Sequence, residues 1–314
     1  NDDGIIGTGS EINFSPLYTG NYSIQINEWG CGSGSGLPNL EITLVTEPEP
    51  TKTIPVVVHV VHYGEAVGTD RNISDAQIHD QIATLNADFS RSNADFYLAP
   101  PVFAGVSAIT NVQFCLAQQD PNGNATDGIE RYLGTQSSYD SDDCNTTLKP
   151  NTIWNSEDYL NIWVVDLATD NGILYGYAQF PYELAILMGY DSLPSTDGVV
   201  MNYKAFGTSP NNFPDLNLGR TLTHEVGHYL GLLHTFTFGC SGDDLCDDTP
   251  LQGISTQNTC PSYLNWASVP ASCDPYFPAM YNNYMDYTND ACMNMFTYDQ
   301  NGWIQYYLAT DRST

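Results

Sequence analysis

The stretch Tyr22–Ile26 alternates Tyr22, Ile24 and Ile26 with Ser23 and Gln25, the period-two pattern of a strand with one buried face. Leu40–Val45 predicts a second strand, after a Gly/Ser-rich stretch over Cys31–Gly36. The segment Thr46–Lys52, with Glu47, Pro48, Glu49 and Pro50, reads as a linker. Residues 1–50 are therefore read as an N-terminal extension, accessory or propeptide-like. Beyond them, Ile54–Val61 is a nearly continuous β-branched run, as expected of a strand buried on both faces. Ser74 and Gln77 form a capping-box pair, and Ile78, Ile82, Leu85 and Phe89 recur on one helical face. Val112–Leu116, Tyr159–Val165, Tyr175–Phe180 and Val199–Tyr203 predict further strands. Gly176 and Ala178 leave the backbone of the Tyr175–Phe180 strand open on one side. Leu218–Leu233 predicts a helix, after which the pattern turns irregular and rich in Cys, Asp, Asn and Pro. Strands alternating with helices imply a mixed α/β lobe, and the irregular tail a second lobe.

Charge narrows the function. Eight Lys+Arg stand against 37 Asp+Glu, a net charge of −29. Such a surface repels nucleic acid and anionic membranes. No apolar run reaches the roughly 18–20 residues that would span a bilayer, so membrane insertion is not expected. Most of the carboxylates read as a solvated shell. The eight cysteines include no C-x-x-C pair and form an even set, which indicates disulfides and an oxidising, extracellular compartment.

Residues 224–234 read His-Glu-Val-Gly-His-Tyr-Leu-Gly-Leu-Leu-His. On a helix, His224 and His228 are one turn apart on the same face, so their imidazoles can bind one zinc ion. Glu225 lies beside them and can reach a water in the open coordination position as its general base. Gly231 can adopt a positive φ, end the helix and turn the chain so that His234 returns as a third ligand. Three histidines leave the fourth position to water, the catalytic arrangement. His59, His62 and His79 have no such spacing and are read as structural.

This stretch matches the zinc signature of the metzincins, and its wider context from Gly219 to Phe236 resembles the pappalysin family, in particular its ulilysin-like microbial members. Asn283-Tyr-Met-Asp-Tyr287, Asp244-x-x-x-Asp248-Thr249-Pro250, Ala291–Thr297, Ile54–Val61 and Phe114–Ala117 resemble the family too. The likeness implies a metzincin-type α/β (α+β) zincin. Its upper subdomain, residues 51–234, would hold a mixed, mostly parallel twisted sheet and helices, ending in the zinc helix. Its lower subdomain, residues 235–314, would be irregular, disulfide-held and carry the Met-turn. By resemblance, Met285 forms a hydrophobic floor under the metal and Tyr287 stabilises the tetrahedral intermediate. Asp290 would line the pocket for the residue after the scissile bond and select Arg or Lys, and Asp244, Asp248 and Thr249 would belong to a calcium loop. The implied disulfides are Cys240–Cys273 and Cys260–Cys292, with the pairing of Cys115, Cys144 and Cys246 open. Cys31-Gly32 resembles the cysteine that blocks zinc in family zymogens, but Trp29-Gly30 lacks the basic residue usual there, and a disulfide is the preferred reading of Cys31. The expectation is a secreted, monomeric zinc-dependent endopeptidase with zinc and calcium as cofactors and proteins or peptides as substrates. Three competing readings are a zinc-binding recognition module without turnover, which has no need of Glu225, a latent zymogen in which residues 1–50 cover the cleft, and a metzincin of another family, against which the resemblance of Asp248-Thr249-Pro250 and Cys292-Met-Asn-Met295 speaks.

Overall fold

The computed structural model describes residues 22–26, 42–46, 51–169, 172–257, 259–261, 272–274 and 277–312. The chain divides into two compact units, Asn1–Pro50 and Thr51–Thr314. In the first, strands β1 (Tyr22–Ile26) and β2 (Ile42–Thr46) pair antiparallel, with Tyr22 opposite Thr46. Cys31 lies outside the described residues, so neither reading of it is met by a structural observation.

The second unit is built on one sheet of strands β3 (Lys52–His62), β4 (Val112–Leu116), β5 (Ile129–Leu133), β6 (Leu160–Val165), β9 (Gly176–Ala178) and β10 (Val199–Asn202). The two-residue strands β7 (Ala168–Thr169) and β8 (Gly172–Ile173) form a small separate hairpin. The sheet runs β4-β3-β6-β10-β9, and β5 also pairs with β3. Every pairing is parallel except β10 with β9. The first half of β3, Lys52–Val56, pairs with β4, and the second, Val58–His62, pairs with β5. Val56, Val57, Val58 and Val60 are wholly buried, the consequence of a central strand covered on both faces. β5, Ile-Glu-Arg-Tyr-Leu, carries no period-two or apolar pattern and was not predicted; its residues are half-buried or exposed.

The helices are α1 (Asp75–Phe89), α2 (Ser141–Asp143) and α3 (Lys149–Thr152), joined by a π turn over Cys144–Leu148, then α4 (Tyr182–Met188), α5 (Arg220–Tyr229) and α6 (Tyr298–Thr310). The stripe Ile78, Ile82, Leu85 and Phe89 of α1 is buried in one cluster with Val56, Val58, Leu222 and Val226. Each such side chain contributes about 1.5–3 kcal/mol. Ser74 caps α1 by accepting from the Gln77 N–H at 3.2 Å, but the reciprocal half of the expected capping box is absent. The Gln77 side chain donates instead to the Phe206 carbonyl at 2.7 Å, a long-range contact that no local pattern contains.

α5 is shorter than the predicted Leu218–Leu233. Gly219 (φ 79°) precedes it and Gly231 (φ 89°) breaks the chain direction behind it. All ten of its residues are buried, including Arg220 and Thr223. These polar groups have partners: Arg220 pairs with Asp88 at 3.1 Å and Asp95 at 2.9 Å, and Thr223 donates to Asp88 at 2.7 Å. The tail read as irregular closes in a regular helix, α6, opened by a capping box of Thr297 and Gln300. Its apolar and aromatic residues do not keep to one stripe, which hid it from periodicity. Tyr307 of α6 packs against Gly231: a Cβ there would lie 2.0 Å from the ring.

Disulfides join Cys240 to Cys273 and Cys260 to Cys292. They close loops of 33 and 32 residues, each restricting the unfolded chain by about 2–4 kcal/mol. Cys115, Cys144 and Cys246 are free thiols, so the even count did not mean full pairing. No described helix is long and apolar enough to cross a membrane.

Candidate active site

Helix α5 places His224, Glu225 and His228 together, and the Gly231 turn returns His234 to them. His224 Nδ1 lies 2.6 Å from the Tyr284 carbonyl and His228 Nδ1 lies 2.7 Å from the Leu232 carbonyl. A carbonyl only accepts, so each of these ring nitrogens carries the proton and each Nε2 presents a bare lone pair. The His234 Nε2 is 3.2 Å from that of His224 and 2.9 Å from that of His228. Burial holds His224 near pKa 4 and His228 near 3, and pushes His234 down as well, so all are neutral. Two bare acceptors within 3.2 Å of a third ring nitrogen suit a cation placed between them. Around tetrahedral zinc, with Zn–N of about 2.0–2.1 Å, ligand nitrogens stand roughly 3.3 Å apart, so the donor set fits that ion. Among the described residues this is the one group of three or more His, Cys, Asp or Glu ligand atoms that converges.

Glu225 is 7% exposed, and burial alone lifts its carboxyl to about 8. Tyr287 places its ring 5.5 Å from that of His224 and 4.8 Å from that of His234. Burial, then the charges of Glu225 and Asp286, push its phenol up to about 12, so it stands as a neutral donor. Met285 is fully buried beneath α5, with its Sδ in the space that a Cβ on Gly227 would fill. The turn that carries it is pinned by Asn283, which accepts from the Met285 N–H at 2.9 Å and exchanges two hydrogen bonds with Gln300 of α6. Asp286, also buried, accepts from Gln252, Thr256 and the Tyr287 N–H. The carbonyls of Tyr284 and Leu232, and the anchors Asn283 and Asp286, are site components that sequence reasoning missed. Backbone carbonyls carry no residue identity, so no motif could have announced them.

A cavity of about 410 Å³ opens beside His224, Glu225 and Tyr287. Its walls include Tyr175, Phe213, Leu216 and Met293, with Asp215, Thr288 and Asn289 as polar members. Asp290 is not among the lining residues. Its carboxylate is 1% exposed and turned inward, accepting from the backbone N–H of Leu218 at 2.8 Å and of Arg220 at 3.2 Å. Asp215 is the exposed carboxylate on this wall, receiving the Asn289 side chain at 3.1 Å.

In the acidic loop, Asp244 and Thr249 are buried and hydrogen-bonded to each other, and burial raises Asp244 to about 7. Asp248 and Asp299 each accept the other's backbone N–H, at 3.0 and 3.2 Å. Asp244 Oδ2 and Asp248 Oδ1 are buried without a hydrogen-bond partner. Asp243 and Asp247 face solvent. His59 stacks on Trp163 at 5.1 Å and bonds Asn161 at 2.8 Å, held neutral by burial near pKa 4, as a structural histidine should be.

The profile of the pregnancy-associated plasma protein-A family of peptidases matches residues 143–309. The chain belongs to the pappalysin family. An extracellular metalloprotease of Verticillium alfalfae is 32% identical over 269 residues, 84% of this chain and 78% of that protein. Mature mirolysin of Tannerella forsythia, solved with a cleaved peptide, is 42% identical with a TM-score of 0.72 over 85% of this chain and 94% of that one. A promirolysin mutant from the same organism is also 42% identical, with a TM-score of 0.72 over 84% and 83% of the two chains. As a pappalysin, the protein is a zinc metalloendopeptidase of metzincin fold, and its histidine triad is the group that suits the metal this family implies.

Proposed function

We propose that this pappalysin is a secreted, monomeric endopeptidase in which His224, His228 and His234 hold zinc, Glu225 is the general base, Tyr287 stabilises the oxyanion and Met285 is the floor. The observation that carries this reading is the convergence of three histidine Nε2 atoms with a buried glutamate carboxyl and a neutral phenol on the rim of one cavity. The zinc ion, when bound, supplies Lewis acidity toward a water and the substrate carbonyl. Glu225 takes the proton as the water attacks and returns it to the leaving amine. Tyr287 donates to the carbonyl oxygen as charge develops on it. The extracellular relatives support secretion, and residues 1–50 are proposed as an accessory or propeptide-like extension. The upper subdomain is proposed as residues 51–234 and the lower as 235–314.

A preference for Arg or Lys after the scissile bond is proposed on the cavity's charge. Asp215 would meet the cation, while the aliphatic stem lies on Phe213 and Leu216. Asp290 acts from one layer behind, its N–H bonded to the Asp215 carbonyl at 3.0 Å, and burial raises its carboxyl to about 6, so it remains anionic above that pH. The acidic loop is proposed to bind calcium through Asp244, Asp248 and Thr249, with Asp299 as a further neighbour. A hard cation would neutralise the unpartnered buried oxygens there. Zinc-loaded protein is expected to cut a mixed peptide library before Arg and Lys. Mapped cuts with no basic residue after the bond would remove the preference, and no cutting by either the full chain or one trimmed of residues 1–50 would remove the endopeptidase.

Substrate is proposed to lie extended along β9, whose second edge carries no strand among the described residues. Gln179 donates its N–H to the Gly198 carbonyl at 3.0 Å, so by strand alternation the Ala178 N–H points to the open edge. Ala178→Pro removes that donor without touching β10. It is expected to lower kcat/KM by about 10-fold, the worth of one hydrogen bond. Unchanged kcat/KM would rule out this docking mode.

A further inference from the structure

Glu225 is buried on the wall of the cavity, and the edge strand packs against its side chain. A general base needs a defined direction, and for Glu225 packing contributes to that direction. The neighbour that faces it is the edge strand: a Cβ built on Gly176 would stand 2.9 Å from Glu225 Cγ, 3.1 Å from Glu225 Oε1 and 2.9 Å from Met201 Sδ. Real Cβ atoms do not approach so closely, so the bare Cα of Gly176 is what lets strand and carboxylate touch. The glycine is not there for its backbone freedom, because its φ lies outside the left-handed region. Nor does it serve only to open the strand to substrate, as the sequence pattern suggested, since its missing side chain is filled from within by the base itself.

We infer that Gly176 is a positioning residue for Glu225: the edge strand that lies along the cleft also sets the direction of the base by direct contact. The inference rests on the reading of Glu225 as the base. It couples the strand to the chemistry, since a strand displaced by a few tenths of an ångström would move the carboxylate with it.

The test is a double-mutant cycle on the zinc-loaded full chain, combining Gly176→Ala with Glu225→Ala, read by kcat, KM, zinc content and Tm. Gly176→Ala is expected to lower kcat by about 100-fold, the usual consequence of a misplacement of about 1 Å, with KM within about threefold and one zinc retained. It is also expected to lower Tm at least about 2 °C more when Glu225 is present than when it is Ala, because two of the three collisions then vanish. An unchanged kcat, or equal Tm losses in both backgrounds, would overturn the inference and leave the methyl group's effect to Met201 or the strand. Wild-type cleavage by Glu225→Ala alone would instead overturn the reading of Glu225 as base, and this inference with it.

Discussion

Glu225→Ala is expected to lower kcat/KM by roughly 10²–10⁴-fold, the usual contribution of a positioned general base, while the protein keeps its zinc. The two outcomes separate because the metal and the base depend on different contacts. The three histidines converge through their own anchors, the carbonyls of Tyr284 and Leu232 and the Gly231 turn, none of which involves the Glu225 side chain. Burial raises the Glu225 carboxyl to about 8, so holding it ionised at this position costs free energy. Removing it should therefore leave Tm unchanged or higher, the sign expected when a group is kept for chemistry at the expense of stability. Zinc analysis, thermal unfolding and cleavage kinetics on the same preparation decide the matter. A variant that loses zinc in step with activity would show Glu225 to be part of the metal site instead, and one that cuts like the wild type would remove it from the mechanism.

Gly231→Ala is expected to destabilise the protein by about 2–5 kcal/mol and to reduce zinc content well below one per chain. Two physical costs add. At φ 89° an L-residue is strained by about 1–2 kcal/mol. The new methyl would also meet the Tyr307 ring at 2.0 and 2.2 Å, an overpacking of about 1–3 kcal/mol. Neither can be relieved without moving either the C-terminal helix or the turn, and the turn is what delivers His234 to its partners. In a Tyr307→Ala background the collision is absent but the φ strain is not, so Gly231→Ala should cost less stability there than in the wild-type chain. Urea unfolding and zinc analysis of the three variants check the argument. Full zinc and full stability in Gly231→Ala would refute it.

The local chemistry of the site was readable in the sequence because it is written within one helix and one turn. His224, Glu225 and His228 share a face by the 3.6-residue period, and Gly231 is the residue type that can reverse the chain toward His234. The same holds for β3, whose β-branched run needs two covered faces, and for the apolar stripe of α1. Resemblance extended this to the two disulfides, Cys240–Cys273 and Cys260–Cys292.

What only the tertiary structure decided lies between residues far apart in the chain. His224 donates its Nδ1–H to the carbonyl of Tyr284, 60 residues on, an acceptor that any residue could supply. β5 forms although its own sequence has no strand pattern, because β3 offers it a free stretch of edge. α6 was hidden because its aromatic residues do not keep to one face, and its Tyr307 closes the metal turn only once the chain has folded back. Which acid faces the cavity was equally out of reach: Asp215 and Asp290 differ in whether backbone N–H groups capture the carboxylate, and that depends on how Leu218 and Arg220 enter α5. Gly176 read as an open strand position until Glu225 was seen to occupy the space beside it. Periodicity and spacing report on neighbours along the chain. The contacts that aim a ligand, fill a glycine or turn an acid inward are made across it, and for them the sequence alone carries no local signal.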